Sequence, residues 1–238
     1  MTRFVWLIPL VLFFIACGPG EEEYKPWEDE TIIEFPDPHL DGCIRSYTSD
    51  TPGEPLRIKD VYFLTKITCI DSGITDLTGL EKMPWVKELQ LNGNPVASLE
   101  PLRNALDLEY LDIGRGSVSN LTPLESLPNL VKLLLPVNEL EDISPVSKMT
   151  SLKELNINGN KISDVNPLSS LAELETLYIY NNNIINISPL KLLLNLNYVA
   201  LQDNCVSDFA PIEYLKQNGK LSDVVGDSAE EQDYARCE

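Results

Sequence analysis

Histidine is almost missing from this sequence: His39 stands alone among 238 residues. Histidine-based nucleophilic catalysis and zinc held by His and Cys therefore lack a second member, and His39 itself falls outside the patterned part of the chain. Positive charge is scarce too. Lys and Arg number 18 against 37 Asp and Glu, a formal charge of −19, whereas a nucleic-acid binder needs clustered cations to replace the counterions of phosphate. DNA and RNA are excluded as partners on that ground. A Gly-rich phosphate loop is absent from the sequence. Long apolar runs are lacking as well: the greasiest stretch, Phe4 to Ile15, is interrupted by Pro9 and falls short of the ~20 residues that cross ~30 Å of hydrocarbon.

What is present begins with that short run. Arg3 precedes it and Ala16 follows, the charged, apolar and small order of an export signal, so residues 1–16 read as a leader. Export places the remainder in an oxidising compartment, where Cys43, Cys69, Cys205 and Cys237 can pair and Cys17 is left over. The segment Phe14-Ile15-Ala16-Cys17 resembles the lipobox of bacterial lipoproteins, with Phe14 where Leu is usual. The resemblance implies cleavage before Cys17 and its acylation; ordinary cleavage leaving a free thiol is the alternative. Gly18 lacks the Asp that, by the same resemblance, retains some lipoproteins at the inner membrane. The expected location is therefore the outer membrane or cell surface. Residues 17–36, with seven acids and one base, read as an acidic flexible tether.

One register dominates when the chain is laid against itself. Starts at Leu64, Val86, Leu108, Leu130, Leu152, Leu174 and Leu196 define seven repeats of 22 residues over 64–217, with no insertion or deletion. Positions 1, 4, 6, 11, 14, 17 and 20 are apolar in every copy, counting Cys69 and Ala105. Alternation around positions 4 and 6 predicts a short strand with one buried face. Position 9 is Asn94, Asn138, Asn160, Asn182 and Asn204, with Ser72 and Gly116 as exceptions, and an amide suits a turn with unpaired backbone groups. Thr122-Pro123, Ser144-Pro145, Asn166-Pro167 and Ser188-Pro189 at positions 15 and 16 read as an N-cap followed by the first residue of a helical turn.

The pattern LxxLxLxxN is that of leucine-rich repeats, and second halves such as "EDISPVSKM" and "INISPLKLL" resemble the internalin-like subfamily. The expected fold is a repeat solenoid of α/β class. It has a parallel β-sheet on the concave face and short helical or 3-10 turns on the convex face. Residues 37–63 are expected to form an N-terminal cap, with a helix from near Asp37 presenting Leu40, Cys43 and Ile44 on one face, and a Cys43–Cys69 bridge pinning it to the stack. Residues 218–238 are expected to form a C-terminal cap closed by Cys205–Cys237.

Acidic candidates for catalysis or calcium, Glu141-Asp142, Asp164 and Asp208, fall in turns between strand and return segment, where solvated turn residues are the better reading. No cofactor, metal or enzymatic activity is expected. Function in a repeat scaffold resides on exposed strand positions, here positions 3, 5 and 7. These carry four tyrosines, Tyr110, Tyr178, Tyr180 and Tyr198, with Leu134 beside them, an exposed aromatic patch suited to an interface. Gly114 and Pro136 at position 7 predict a weak point in the sheet between repeats three and four. The expectation is a non-catalytic module that binds a protein or peptide on its concave face and is lipid-anchored at the bacterial envelope. A self-associating structural protein without a separate ligand is the alternative.

Overall fold

Each repeat opens with three extended residues because its apolar side chains at positions 4 and 6 can share one buried face only in that conformation. The computed structural model describes residues 24–48, 54–226 and 228. It begins with strand β1 (Ile32–Ile33), helix α1 (Pro38–Arg45), strand β2 (Leu56–Arg57) and the short helix α2 (Ile58–Val61). The seven repeat strands follow: β3 (Lys66–Thr68), β4 (Glu88–Gln90), β5 (Tyr110–Asp112), β6 (Lys132–Leu134), β7 (Glu154–Asn156), β8 (Thr176–Tyr178) and β9 (Tyr198–Ala200). Helix α3 (Ala210–Asn218) and strand β10 (Asp223–Val225) end the described chain. Strands β3 to β10 form one eight-stranded parallel sheet in sequence order. Neighbouring repeats pair with a constant offset, as in Lys66↔Glu88 and Glu154↔Thr176.

All seven apolar positions are buried in every repeat except at Phe209, which packs against the core while partly exposed. Removing any of these leucines to Ala should cost about 2–5 kcal/mol. The asparagines of position 9 are buried as well, and their hydrogen bonds couple adjacent repeats. The side-chain amide of Asn182 donates to the carbonyls of Ile157 at 3.1 Å and Ile179 at 3.0 Å, and its Oδ1 accepts from the backbone N–H of Ile162 at 3.0 Å. Asn94, Asn160 and Asn204 repeat the arrangement. Just before them, position 8 is left-handed in all seven copies: Asp71, Gly93, Arg115, Val137, Gly159, Asn181 and Asp203 have φ between 49° and 79°. Gly serves this conformation without strain, whereas the β-branched Val137 at φ 55° does not.

The return segments are 3-10 turns, for example Ser144–Lys148 and Asn166–Ser170. Their caps differ from the sequence expectation. Thr122, Ser144, Asn166 and Ser188 are the first residues of the turns rather than caps, and each proline is the second. The capping acceptor lies at position 13, where Asn120, Asp142, Asp164, Asn186 and Asp208 each accept the backbone N–H two residues on, at 2.7–2.9 Å. Asp142, Asp164 and Asp208 are thus employed in turns.

At the N-terminal end, Asp37 caps α1 and ties it to the first repeat. Its Oδ1 accepts from the N–H groups of His39 and Leu40, and its Oδ2 accepts from Thr75 N–H at 2.7 Å, the Thr75 hydroxyl and Asp76 N–H. Burial alone would raise this carboxyl, but the bonds from Thr75, Asp76 and His39 prevail and hold it at about 2. A Cys43–Cys69 disulfide joins α1 to the repeat that contains β3, with a sequence separation of 26; a loop of that length corresponds to about 3.5 kcal/mol in the chain-entropy treatment. The Tyr47 hydroxyl accepts from Thr68 N–H at 2.8 Å and donates to Thr68 O at 3.0 Å, closing the open edge of β3.

The cap is larger than residues 37–63. Within the stretch expected to be a tether, residues 24–36 are folded: Pro26–Glu28 form a 3-10 turn, β1 pairs with β2, and Ile33 and Phe35 are buried. Acidic composition concealed those two core residues. At the other end the cap begins inside the last repeat with α3, and β10 adds a strand beyond the seven of the repeats.

Candidate functional site

Side chains at positions 3, 5 and 7 stand in three rows across the concave sheet, one row per position, because the strands pair in register. Row 3 reads Lys66, Glu88, Tyr110, Lys132, Glu154, Thr176, Tyr198 and then Asp223 of β10. Lys66 bonds Glu88 at 2.7 Å and Lys132 bonds Glu154 at 2.8 Å. The Lys132 ammonium also lies 5.1 Å from the centre of the Tyr110 ring. Burial alone would lower the Lys132 pKa, but the bond it donates to the Glu154 carboxylate, with that group's charge, raises it on balance. Rows 5 and 7 of the first repeats are similarly self-paired: Thr68 meets Gln90 at 3.5 Å, and Asn92 donates to Asp112 at 3.2 Å.

Repeats five to seven differ. The rings of Tyr178 and Tyr198 lie 5.1 Å apart, tilted by 45°, and Tyr180 stands in the neighbouring row of the same repeat as Tyr178. Burial, followed by the nearby Tyr178 and Asp223, pushes the Tyr198 phenol upward, so it is neutral at physiological pH. On either side of Tyr180 in row 7 are Asn158 and Gln202, whose Oδ1 and Oε1 atoms are buried without a hydrogen-bond donor. Asn158 is only 5% exposed. A buried acceptor lacking a donor is costly, and a ligand carrying N–H or O–H groups can remove that cost.

Of the five side chains expected to bind, the structure joins Tyr178 to Tyr198 by ring contact and keeps Tyr180 beside them. Leu134 is half-buried two strands away on β6, and Tyr110 lies apart on β5 beneath Lys132. Three positions expected to be exposed are buried: Asn158, Gly114 and Ala200. Ala200 pairs with Val225 of β10, the strand the sequence reading did not contain. Gly114 is enclosed by its neighbours, since an added Cβ would stand 2.4 Å from Asn92 Nδ2 and 2.8 Å from Pro136 Cγ. The expected weak point between repeats three and four does not appear in the pairing, which continues in register from β5 to β6. Position 7 contributes its carbonyl to the ladder, and Pro136 O accepts from Arg115 N–H at 2.8 Å, so the missing N–H of proline is not needed there.

The remaining sequence candidates are placed as follows. His39 is exposed on α1, its ring beside Gly73. Cys205 is disulfide-bonded, while Cys17 and Cys237 lie outside the described residues. Trp85 is half-buried against the core, its indole N–H without an acceptor. Among the described residues, groups of three or more His, Cys, Asp or Glu placed to hold a metal ion are absent.

A 22-residue register, an asparagine ladder and a one-sided parallel sheet define a leucine-rich repeat solenoid. The signature of the family described as Leucine Rich repeats (2 copies) matches residues 128–170. Among solved structures the chain's likeness includes internalins. It is similar to the crystal structure of the internalin inlF from Listeria monocytogenes, at 26% identity and a TM-score of 0.67, over 81% of this chain and 63% of that one. It is also similar to internalin C2 of the same organism, at 28% identity and a TM-score of 0.66, over 83% of this chain and 97% of that one. A leucine-rich repeat protein of Leptospira interrogans aligns at 26% identity and a TM-score of 0.57, over 62% of this chain and 38% of that one. This chain thus spans less than two thirds of inlF but nearly all of internalin C2. Curated protein sequences yield no match. The fold is that of a protein-binding module, and its disulfide indicates export to an oxidising compartment.

Proposed function

We propose that this protein is a non-catalytic receptor module, anchored to the bacterial envelope by acylated Cys17 after removal of residues 1–16, that binds a protein or peptide on the concave face of repeats five to seven. The observation that carries this reading is the contrast across the sheet. Polar side chains of the first four repeats pair with one another or, for Lys132, with Glu154 of the fifth, whereas the last three present Tyr178 against Tyr198, with Tyr180 between two buried acceptors that lack donors. Tyrosine adds contact area and a hydroxyl at small entropy cost, and a central anchor of this kind is worth about 2 kcal/mol, or roughly 30-fold in affinity.

The test is cross-linking in intact cells followed by quantitative recovery, comparing wild type with Tyr178→Ala/Tyr180→Ala and with Tyr110→Ala as a control in the self-paired half. The reading expects specific captured partners to be lost from the double variant and kept by the control. Equal capture by all three proteins defeats it. A captured partner that is another copy of the same chain, with a dimer in solution broken by the double variant, supports the self-associating alternative instead.

A further inference from the structure

A second aromatic cluster occupies the N-terminal cap, outside the concave face. Trp27 and Phe63 are each 53% exposed and Tyr24 is 63% exposed. Tyr62, packed partly against the core, joins the two rings: its centroid is 6.3 Å from that of Trp27 and 6.1 Å, edge-on, from that of Phe63. The cluster is built on two elements, since Trp27 belongs to the turn Pro26–Glu28 and Tyr62 and Phe63 directly follow α2. It is therefore held in place by the fold.

Two further observations bear on what covers it. The charged side chains on the same elements are already partnered. Lys25 pairs with Glu28 at 3.4 Å, Arg57 with Glu30 at 3.0 Å, and Lys59 also with Glu30. The Asp29 carboxylate accepts from the Tyr24 hydroxyl and from Thr31 N–H, both at 2.8 Å, and Asp60 accepts from Arg57 N–H at 2.8 Å. The surface therefore offers paired rather than isolated charges, and these can stay hydrated in a headgroup layer that remains wet while the rings enter it. The second observation is chain length: only six residues lie between Cys17 and Tyr24, and the seven steps from one to the other span at most about 25 Å.

We propose that the Trp27–Tyr62–Phe63 cluster seats the N-terminal cap in the interfacial layer of the phospholipid bilayer that receives the acyl chains of Cys17. The inference rests on the anchoring given under Proposed function and adds a second, non-covalent contact to it. Trp and Tyr favour the boundary between headgroups and hydrocarbon, where a ring is buried and its polar atom stays wet. A lipid chain alone fixes neither tilt nor rotation, whereas a rigid aromatic contact beside it does. The cluster then determines how the solenoid stands on the membrane.

The experiment uses the full chain, made in a lipoprotein-processing bacterium, checked for acylation by mass and reconstituted into phosphatidylethanolamine/phosphatidylglycerol vesicles with and without brominated acyl chains. After leader removal the tryptophans are Trp27 and Trp85, and Trp85 is packed against the core. Brominated lipid is expected to quench wild-type emission by about a third or more, and Trp27→Phe is expected to lose that quenching while still floating with the vesicles. Trp27→Ala/Phe63→Ala, with an unchanged circular dichroism spectrum, is expected to float but to tumble more freely by fluorescence anisotropy. Acylated protein that floats with Trp27 unquenched overturns this inference and leaves the anchor standing. An unacylated Cys17 overturns both, and a dimer dissociated by Trp27→Ala/Phe63→Ala replaces the bilayer with a second copy as occupant.

Discussion

Replacing Asn182 by Ala tests the ladder where it is fully formed. The side chain is 1% exposed, its two amide protons are shared among the carbonyls of Ile157, Ile179 and Tyr180, and its Oδ1 holds the N–H of Ile162. Alanine leaves that N–H without its acceptor in a space water does not reach, while the carbonyls of Ile157 and Ile179 lose one bond each and keep those from Asn160 and Asn204. An unmet buried donor costs about 1–3 kcal/mol and each lost bond to a carbonyl that keeps another donor about 0.5–1 kcal/mol, so the variant should lose about 2–4 kcal/mol, a large share of the 5–15 kcal/mol typical of a domain. Asn182→Asp is the sharper form of the test. It keeps an acceptor for Ile162 but turns a carboxylate oxygen toward two carbonyls, and should be at least as damaging at neutral pH. Asn186→Ala, which removes an exposed turn cap, should cost only about 0.5–1 kcal/mol. Urea unfolding followed by far-UV circular dichroism measures all three. Each repeat touches only its neighbours, so the slope must be compared as well as the midpoint, because a divided transition lowers it. A loss below about 1.5 kcal/mol for Asn182→Ala at unchanged slope, or tolerance of Asp, refutes the ladder as a source of stability.

Two further predictions concern the cap and the turns. Asp37 has a folded pKa of about 2 against 3.8 for the free group, so its contribution is complete above pH 4 and disappears as pH falls toward 2. At 1.36 kcal/mol per unit, discounted for solvent screening, wild type should lose about 1–2 kcal/mol more than Asp37→Asn between pH 4.5 and 2; equal losses in urea titrations at the two pH values contradict this. Val137→Asn should relieve a β-branched side chain from φ 55° and raise stability by about 1 kcal/mol, or about 2–4 °C in Tm. An unchanged or lower Tm in a calorimetric scan counts against strain at that turn.

Much of the fold was legible because the period is strict: seven apolar positions recur at fixed spacing, and they are the positions the core occupies. Asn182 and its equivalents were legible for the same reason. The turn caps were misread by two residues because positions 13 and 15 both hold residues that cap well, and only backbone geometry separates a first helical Ser144 from a capping Asp142. The burial of Asn158 depends on the side chains beside it in the sheet, which no single repeat encodes. Ala200 is covered through β10, whose Val224 and Val225 are too brief an apolar run to stand out in an acidic tail. Ile33 and Phe35 were hidden by the acids around them in the same way. For the candidate face, row arithmetic set Tyr178 and Tyr198 on adjacent strands, but their ring contact and the two donorless acceptors depend on rotamers that spacing does not determine.

The Cys43–Cys69 bridge has a mechanical consequence for a chain held from its N-terminal side. Tension entering through residues 24–42 reaches α1 and then divides at Cys43. The covalent path leads straight to Cys69, beside the first strand of the long sheet, so the intervening loop, including β2 and α2, is bypassed and need not carry load. Pulling can peel away β1 and the aromatic turn before it, yet it cannot unravel the cap past Cys43 without breaking a sulfur–sulfur bond. Beyond that point the force is presented to the parallel sheet and its buried asparagines.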